Sequence, residues 1–155
     1  MGESTTYISI AENDYQYLKR DIQEGRVANL VAFNTQGVCE KFLKGIIVYY
    51  GLEEACTQKE LSSHSIRKLV NFIRKNIPEV KLNWRKVLQA DGFYFNTRYP
   101  GDDYFDVTKE DIEMCWEAAT EVRSYVITLK DKPLKKLETK AVIDFLKEQQ
   151  EGVEE

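Results

Sequence analysis

The chain has 155 residues, of which 43% are hydrophobic and 31% are charged, and its formal net charge is -4 at neutral pH. This length favours one domain with a core of its own, and the composition is typical of a soluble globular protein. The acidic balance argues against a protein that holds nucleic acid through a broad basic surface, although a local basic groove is compatible with it.

The cysteine and histidine content argues against a zinc site. Cys39, Cys56 and Cys115 are widely spaced without a CxxC pair, and the chain has a single histidine. We therefore expect buried free thiols in a reducing compartment. The N-terminus shows no signal-peptide pattern, and the longest apolar run, Gly45 to Leu52, is too short to span a membrane. These features predict a cytoplasmic protein with no membrane segment, no metal and no cofactor.

Two predicted helices occupy the first third of the chain. Ser9 to Glu12 fits a capping box at the start of the first helix, which Gly25 ends. The second helix runs from about Val27 to Tyr50, and Gly51 is its natural C-terminal cap. Its apolar residues recur at helical spacing, and the other side of the helix carries Gln36, Glu40, Lys41 and Lys44.

The third and fourth helices are bounded by prolines. Ser62 or Ser63 is expected to cap the third helix, and Pro78 stops it. The fourth runs from about Trp84 to Arg98, just before Pro100.

The rest of the chain predicts one more strong helix and one weak one. Thr108 to Asp111 is a capping signal for the fifth helix, and Leu134 to Glu148 favours a weaker sixth. No segment combines clean alternation with turn residues as a strand does. Short connections favour antiparallel neighbours, so we predict an all-α, up-and-down bundle of five to six helices. Residues 7–150 form its single domain, with loose termini at 1–6 and 151–155.

Three short motifs follow one another along the chain. The first lies on the second helix, the next opens the third helix, and the last ends the fourth. In chain order they are Gln36, Glu40-Lys41 and Lys44; His64, Ile66 and Leu69; and Arg98-Tyr99-Pro100 with Asp102 and Asp103. Together they resemble the HEPN domain (higher eukaryotes and prokaryotes nucleotide-binding domain), from about Glu12 to Leu129.

The resemblance implies a helical bundle that is often a homodimer with a groove between subunits. Such domains often accompany a small nucleotidyltransferase, on the same chain or a neighbouring one. Some members are ribonucleases that act as toxins, as in toxin–antitoxin pairs, whereas others are binding or accessory domains. The leading hypothesis is a non-catalytic domain that binds a nucleotide or a protein partner. The alternatives are a divergent ribonuclease toxin, with RNA as its substrate, and a purely structural dimer module.

The ribonuclease branch of the family differs from this chain at its catalytic motif. That branch has an arginine followed after four to six residues by a histidine, which suits acid–base work on RNA beside a bound phosphate. Here Thr57, Gln58 and Lys59 stand where the arginine would precede His64. Arg98 has no histidine after it, because Asp103 and Tyr104 occupy those places. Two residues after Asp103, where some toxins carry a modifiable tyrosine, stands Phe105.

The candidate site therefore contains no catalytic residue and six ligand-binding residues: Glu40, Lys44, His64, Arg98, Tyr99 and Tyr104. Each has a simpler alternative role. Glu40 and Lys44 suit an exposed or dimer-facing ion pair, and His64 suits a capping or packing role in a first helical turn. Arg98 suits a phosphate, the negative end of its own helix, or the acids that follow it. Tyr99 suits stacking on a base or packing before the proline.

A homodimer is predicted from the apolar width of the second helix. The helix carries two adjoining apolar stripes, Val38-Phe42-Ile46-Tyr49 and Cys39-Leu43-Ile47-Tyr50. One stripe could face the bundle while the other meets a second copy, and two-fold contact is the commonest way to bury such a patch. The competing account buries both stripes within one subunit, as in a central helix.

Overall fold

The computed structural model describes residues 6–53, 64–93 and 99–129. These residues contain no strand and form five α-helices: α1 (Tyr7–Gln23), α2 (Asn29–Tyr49), α3 (Ile66–Asn76), α4 (Trp84–Leu88) and α5 (Lys109–Leu129). The predicted all-α bundle is confirmed. The predicted sixth helix, Leu134 to Glu148, and the predicted loose termini, 1–6 and 151–155, lie outside the described residues, except for Thr6, which caps α1.

The central element is α2, which packs against α1, α3 and α5. Seven of the eight residues in the two apolar stripes are buried, and the eighth, Tyr49, is half-buried and packs against the same core. Its hydroxyl donates to the backbone oxygen of Leu129 at 2.8 Å. Both stripes are thus covered within one subunit, so the argument for a dimer from a spare apolar stripe is wrong.

Two of the predicted helix starts are displaced by three residues or fewer. Thr6, and not Ser9, caps α1, because its hydroxyl accepts the Ser9 backbone N–H at 3.1 Å. Ser65, and not Ser62 or Ser63, caps α3, and its hydroxyl accepts the Lys68 N–H at 3.3 Å. In both segments several neighbouring hydroxyl residues offer the same chemistry, so the cap is chosen by where the helix packs.

The predicted helix from Trp84 to Arg98 is wrong as one continuous helix, and its residues 94–98 lie outside the described ranges. α4 ends at Leu88, and Gly92 adopts a φ of +94°, a left-handed conformation that breaks the helix. The Asp91 carboxylate turns toward α3 and accepts the backbone N–H groups of Ile66 and Arg67 at 2.8 and 3.3 Å. Asp91 thereby stabilises the positive end of another helix.

Other predicted helix ends are confirmed. The Thr108 hydroxyl accepts the Asp111 N–H at 3.2 Å, and the Asp111 carboxylate accepts the Thr108 N–H at 2.9 Å, which is a reciprocal capping box. Gly51 follows α2 with a φ of +72°, as a C-terminal cap requires.

The two described cysteines are free and buried, as predicted. Burial raises the pKa of the Cys115 thiol to about 12 and also raises the pKa of Cys39. Both are inert structural thiols, because the thiolate is the reactive form. Cys56 lies outside the described residues. Within the described ranges, each helix is too short or too polar to cross a bilayer.

An ion pair and a stacked ring fix α1 against α5. The Arg123 guanidinium donates two hydrogen bonds to the Glu12 carboxylate, at 2.7 and 2.8 Å, and lies 4.6 Å from the centre of the Tyr15 ring. The Trp116 ring stacks on the same Tyr15 ring, with 4.2 Å between the ring centres. These contacts between α1 and α5 hold α1 in place along α2, and a pocket lies between α1 and α2.

α1 approaches α2 closely at Gly45, and this contact yields a test of the packing. A Cβ atom at this position would lie 2.4 Å from Ile8 Cγ1 and 3.3 Å from the Ile8 backbone nitrogen. We expect Gly45→Ala to lower the free energy of unfolding by about 1–3 kcal/mol, because overpacking forces the helices apart. Urea denaturation measures the change.

The control is Gly37→Ala, in the same helix. A Cβ atom at Gly37 meets nothing within 4 Å. This substitution should raise the free energy of unfolding by about 0.5–1 kcal/mol, since alanine favours a helix over glycine. Equal stability of the two variants would contradict the close approach at Gly45.

Candidate functional site

Three of the four polar residues that the sequence places on one side of α2 are buried. Gln36, Glu40 and Lys44 are spaced by four and lie on one face of the helix, with side chains of Glu40 and Lys44 only 5% and 10% exposed. Lys41, one residue off this line, remains half-exposed. Helix periodicity identifies a polar face but does not say whether another element covers it.

The Glu40 carboxylate is the centre of this buried group. One of its oxygens, Oε1, lies 3.4 Å from Lys44 Nζ and 3.2 Å from His64 Nδ1. Burial raises the pKa of Glu40 above its usual range, and the Lys44 ammonium and His64 imidazole only partly offset that effect. The predicted ion pair therefore exists, but it lies inside the subunit and not on an exposed or dimer-facing surface.

His64 occupies a different position from the one expected in a first helical turn. It precedes the Ser65 cap of α3, and its backbone oxygen accepts the Gln36 side-chain N–H at 3.0 Å. Its side chain is 42% exposed while its Nδ1 atom faces Glu40. Gln36 Oε1 is buried without a hydrogen-bond partner in the part of the chain that the structure describes. The α2–α3 junction is thus held by a backbone contact as well as by the imidazole.

A pocket of about 640 Å³ lies between α1 and α2, next to this group. Its volume is in the range of small-molecule sites. Apart from Leu18 and Gly37, three kinds of side chain surround it: aromatic rings, amides and ionisable groups. They are Tyr7, Tyr17 and Phe33; Asn13 and Asn34; and Asp14, Asp21, Glu40, Lys41, Lys44 and His64.

Two lysines connect the walls of the pocket. Lys41 Nζ on α2 lies 2.7 Å from Asp14 Oδ2 on α1. Lys44 Nζ, paired with Glu40, also lies 6.0 Å from the centre of the Tyr7 ring on α1. The pocket therefore has cations available, each already facing a carboxylate.

The structure brings three of the six predicted site residues together and places two elsewhere. Glu40, Lys44 and His64 all line the pocket. Tyr99 is exposed, and Tyr104 donates its hydroxyl hydrogen to Asp106 and accepts one from Asn29, at 3.1 and 3.2 Å. Neither tyrosine lines the pocket.

The Tyr104 contacts lie at the far end of α2 from the buried group. Asn29, which Tyr104 contacts, precedes Glu40 by eleven residues, or about 16 Å along the helix axis. Arg98 lies outside the described residues, so its predicted phosphate contact stays a prediction.

Sequence reasoning missed the residues that α1 contributes. Asn13, Asp14 and Tyr17 lie on the side of α1 away from its apolar stripe, so they resembled an ordinary exposed surface. A usable signal was present, because Asn13 and Tyr17 are four residues apart on α1, and Gly37 follows Asn34 by three residues on α2. A glycine on the same helix face as a polar residue leaves room for a ligand to approach the backbone.

Comparison with known proteins gives one family. The family model of the HEPN domain matches residues 4–132. The chain belongs to the HEPN family. Comparisons with curated proteins and with solved structures found no match. Membership confirms the resemblance drawn from the three motifs and implies a function related to nucleotides or RNA, in a family whose members often form dimers.

The raised pKa of Glu40 predicts how stability depends on pH. A carboxyl group whose pKa is raised by folding binds its proton more tightly in the folded state, so its contribution is fully present below the ordinary value of 4.5 and is lost as pH rises through the folded pKa. The free energy of unfolding of wild type minus that of Glu40→Gln should therefore fall as pH rises from 4 toward neutrality.

Urea denaturation across this pH range makes the measurement. Glu113→Gln, at an exposed position of α5, controls for the loss of one carboxylate. A difference between wild type and Glu40→Gln that grows with pH would mean that the ion pair with Lys44, and not burial, dominates at Glu40.

Proposed function

We propose that this HEPN domain binds a nucleotide in the pocket between α1 and α2 and has no catalytic activity of its own. The observation that carries the proposal is the combination, in one pocket of about 640 Å³, of aromatic rings, side-chain amides and lysines. A nucleotide presents a flat base with hydrogen-bonding edges and an anionic phosphate, and each class of side chain suits one of these parts.

Aromatic and amide groups suit the base. Tyr17, on α1, is 69% exposed and lies at the rim of the pocket, where a base can stack on its ring. Phe33 offers a second ring from α2. Asn13 and Asn34 contribute one amide from each helix, and each amide both donates and accepts hydrogen bonds, as a base edge requires.

Lysines suit the phosphate. Each ammonium group has three donors, and the contacts of Lys41 with Asp14 and of Lys44 with Glu40 use one donor each. Lys41 is the more accessible cation, since its side chain is 38% exposed against 10% for Lys44. A single phosphate therefore meets Lys41 first, while Lys44 supports the wall of the pocket.

The proposed lack of catalysis rests on the sequence. Neither His64 nor Arg98 has the partner that the ribonuclease motif requires at a spacing of four to six residues. A nucleotidyltransferase encoded elsewhere and a second copy of this chain remain proposed partners, drawn from the family.

One contact favours a second candidate function, which is RNA cleavage by residues other than the arginine and histidine of the ribonuclease motif. Glu40 lies 3.2 Å from His64 Nδ1, so the carboxylate orients the imidazole, and a histidine oriented by a carboxylate is suited to acid–base work. The half-exposed His64 ring lines the pocket. Only an RNA assay separates this candidate from simple binding.

Filling the pocket tests the binding proposal. Gly37 lines the pocket, and a side chain there meets no atom within 4 Å at its Cβ position. We expect Gly37→Trp to weaken mononucleotide binding by at least about tenfold in calorimetric titration, because the indole takes the space of the ligand. Gly37→Ala should bind like wild type.

The matched control is Leu30→Trp. Leu30 lies on the same helix, is 66% exposed and does not line the pocket. Unfolding curves verify that both tryptophan variants fold. Equal loss of binding in the two variants, or unchanged binding in Gly37→Trp, would place the ligand elsewhere.

An RNA assay tests the absence of catalysis. We expect the purified protein to leave single-stranded and structured RNA intact, because neither Arg98 nor His64 belongs to a pair with the arginine-to-histidine spacing of the nucleases. Gel electrophoresis of labelled RNA makes the measurement. Cleavage that His64→Ala abolishes and Tyr104→Phe preserves would establish the second candidate in place of the first.

A further inference from the structure

The charges that surround the pocket do not form a site for several phosphates. Three carboxylates, Asp14, Asp21 and Glu40, face two lysines, Lys41 and Lys44. With all five groups ionised the lining carries a net charge of -1, because 2 positive charges stand against 3 negative ones. No arginine is among the described residues that line the pocket. Sites for polyphosphates instead concentrate positive charge or backbone N–H groups.

The lysines are already balanced by neighbouring carboxylates. Lys41 lies 2.7 Å from Asp14, and Lys44 lies 3.4 Å from Glu40. Asp21 has its own partner in Arg26, at 3.5 Å, but that pair is largely exposed and weakly held. A ligand with several phosphates would therefore meet carboxylates without finding an excess of cations.

One helix N-terminus beside the pocket, that of α3, is also occupied. α3 begins at Ile66, after the Ser65 cap that follows the pocket residue His64, and a free helix N-terminus can hold a phosphate. Here the Asp91 carboxylate accepts the N–H groups of Ile66 and Arg67, and the Ser65 hydroxyl accepts that of Lys68. The N–H donors of Ile66, Arg67 and Lys68 are thus used within the protein and do not add to the positive end of the pocket.

We propose that the pocket selects a nucleoside or its monophosphate and discriminates against the triphosphate. This inference rests on the proposed nucleotide binding and adds the class of ligand. Selection arises from charge: the rings and amides hold the base, Lys41 holds at most one phosphate, and Asp14 and Asp21 repel the others.

Calorimetric titration of the full chain tests the inference. The probes are adenosine, guanosine, cytidine and uridine, each with its 5′-mono- and 5′-triphosphate, in buffer with a chelator so that no metal masks the phosphate charge. For the base that binds best, we expect the triphosphate to bind at least about tenfold more weakly than the monophosphate.

Neutralising one carboxylate should relax the discrimination. We expect Asp21→Asn to tighten triphosphate binding roughly two- to fivefold relative to nucleoside binding, because only the phosphates respond to the lost charge. Asp14→Asn, which also releases Lys41 from its partner, should have the larger effect and provides a second variant if Asp21→Asn does not fold. Glu113→Gln, exposed on α5, should change neither ligand.

The outcomes separate this inference from the proposed function. A triphosphate that binds wild type as tightly as the monophosphate, or tighter, overturns the selection and leaves nucleotide binding in place. Failure of every nucleoside and nucleotide to bind overturns both. Tighter triphosphate binding in Glu113→Gln as well as in Asp21→Asn would mean that overall charge, and not the pocket, sets the preference, and would also overturn the inference.

Discussion

Burial of α2 is the constraint on which the rest of the structure depends. Thirteen of its 21 residues are buried, and they include Glu40 and Lys44 as well as most residues of the apolar stripes. A buried charge is costly unless a partner meets it, so the covering elements have to bring polar groups to the right places. α3 brings His64 to Glu40, and α1 brings Asp14 to the neighbouring Lys41. The pocket is the space left where α1 covers polar residues and not apolar ones.

The fold was predictable from sequence where one signal acted locally. Apolar spacing located four of the helices, and the reciprocal pair of Thr108 and Asp111 marked the start of α5 because both partners lie within one turn. Prediction failed where the role of a residue depends on a partner that is distant in the sequence. Asp91 resembled a residue of a continuing helix, but its carboxylate caps α3, 25 residues earlier in the chain. No local pattern carries that information.

The candidate site was predictable only in part, for a related reason. Motifs on α2 and before α3 pointed to Glu40, Lys44 and His64, which the fold brings together. The contribution of α1 was missed because Asn13 and Tyr17 look like any exposed polar and aromatic residues until the second wall is known. The burial of Glu40 was missed because a polar stripe on a helix predicts a solvent-exposed face, and the pattern does not show that another element covers it.

The Asp91 cap links the assembly of the pocket to the order of folding. α1 and α2 are neighbours in the chain, so their two walls can form early through local contacts. His64, which lies outside this pair of helices, completes the pocket. Its position depends on the start of α3, and Asp91, which follows α3 in the chain, fixes that start. A molecule that needs all three walls therefore meets a finished site only in the fully folded chain. By mass action it would stabilise that state over any intermediate in which only the first two helices have paired.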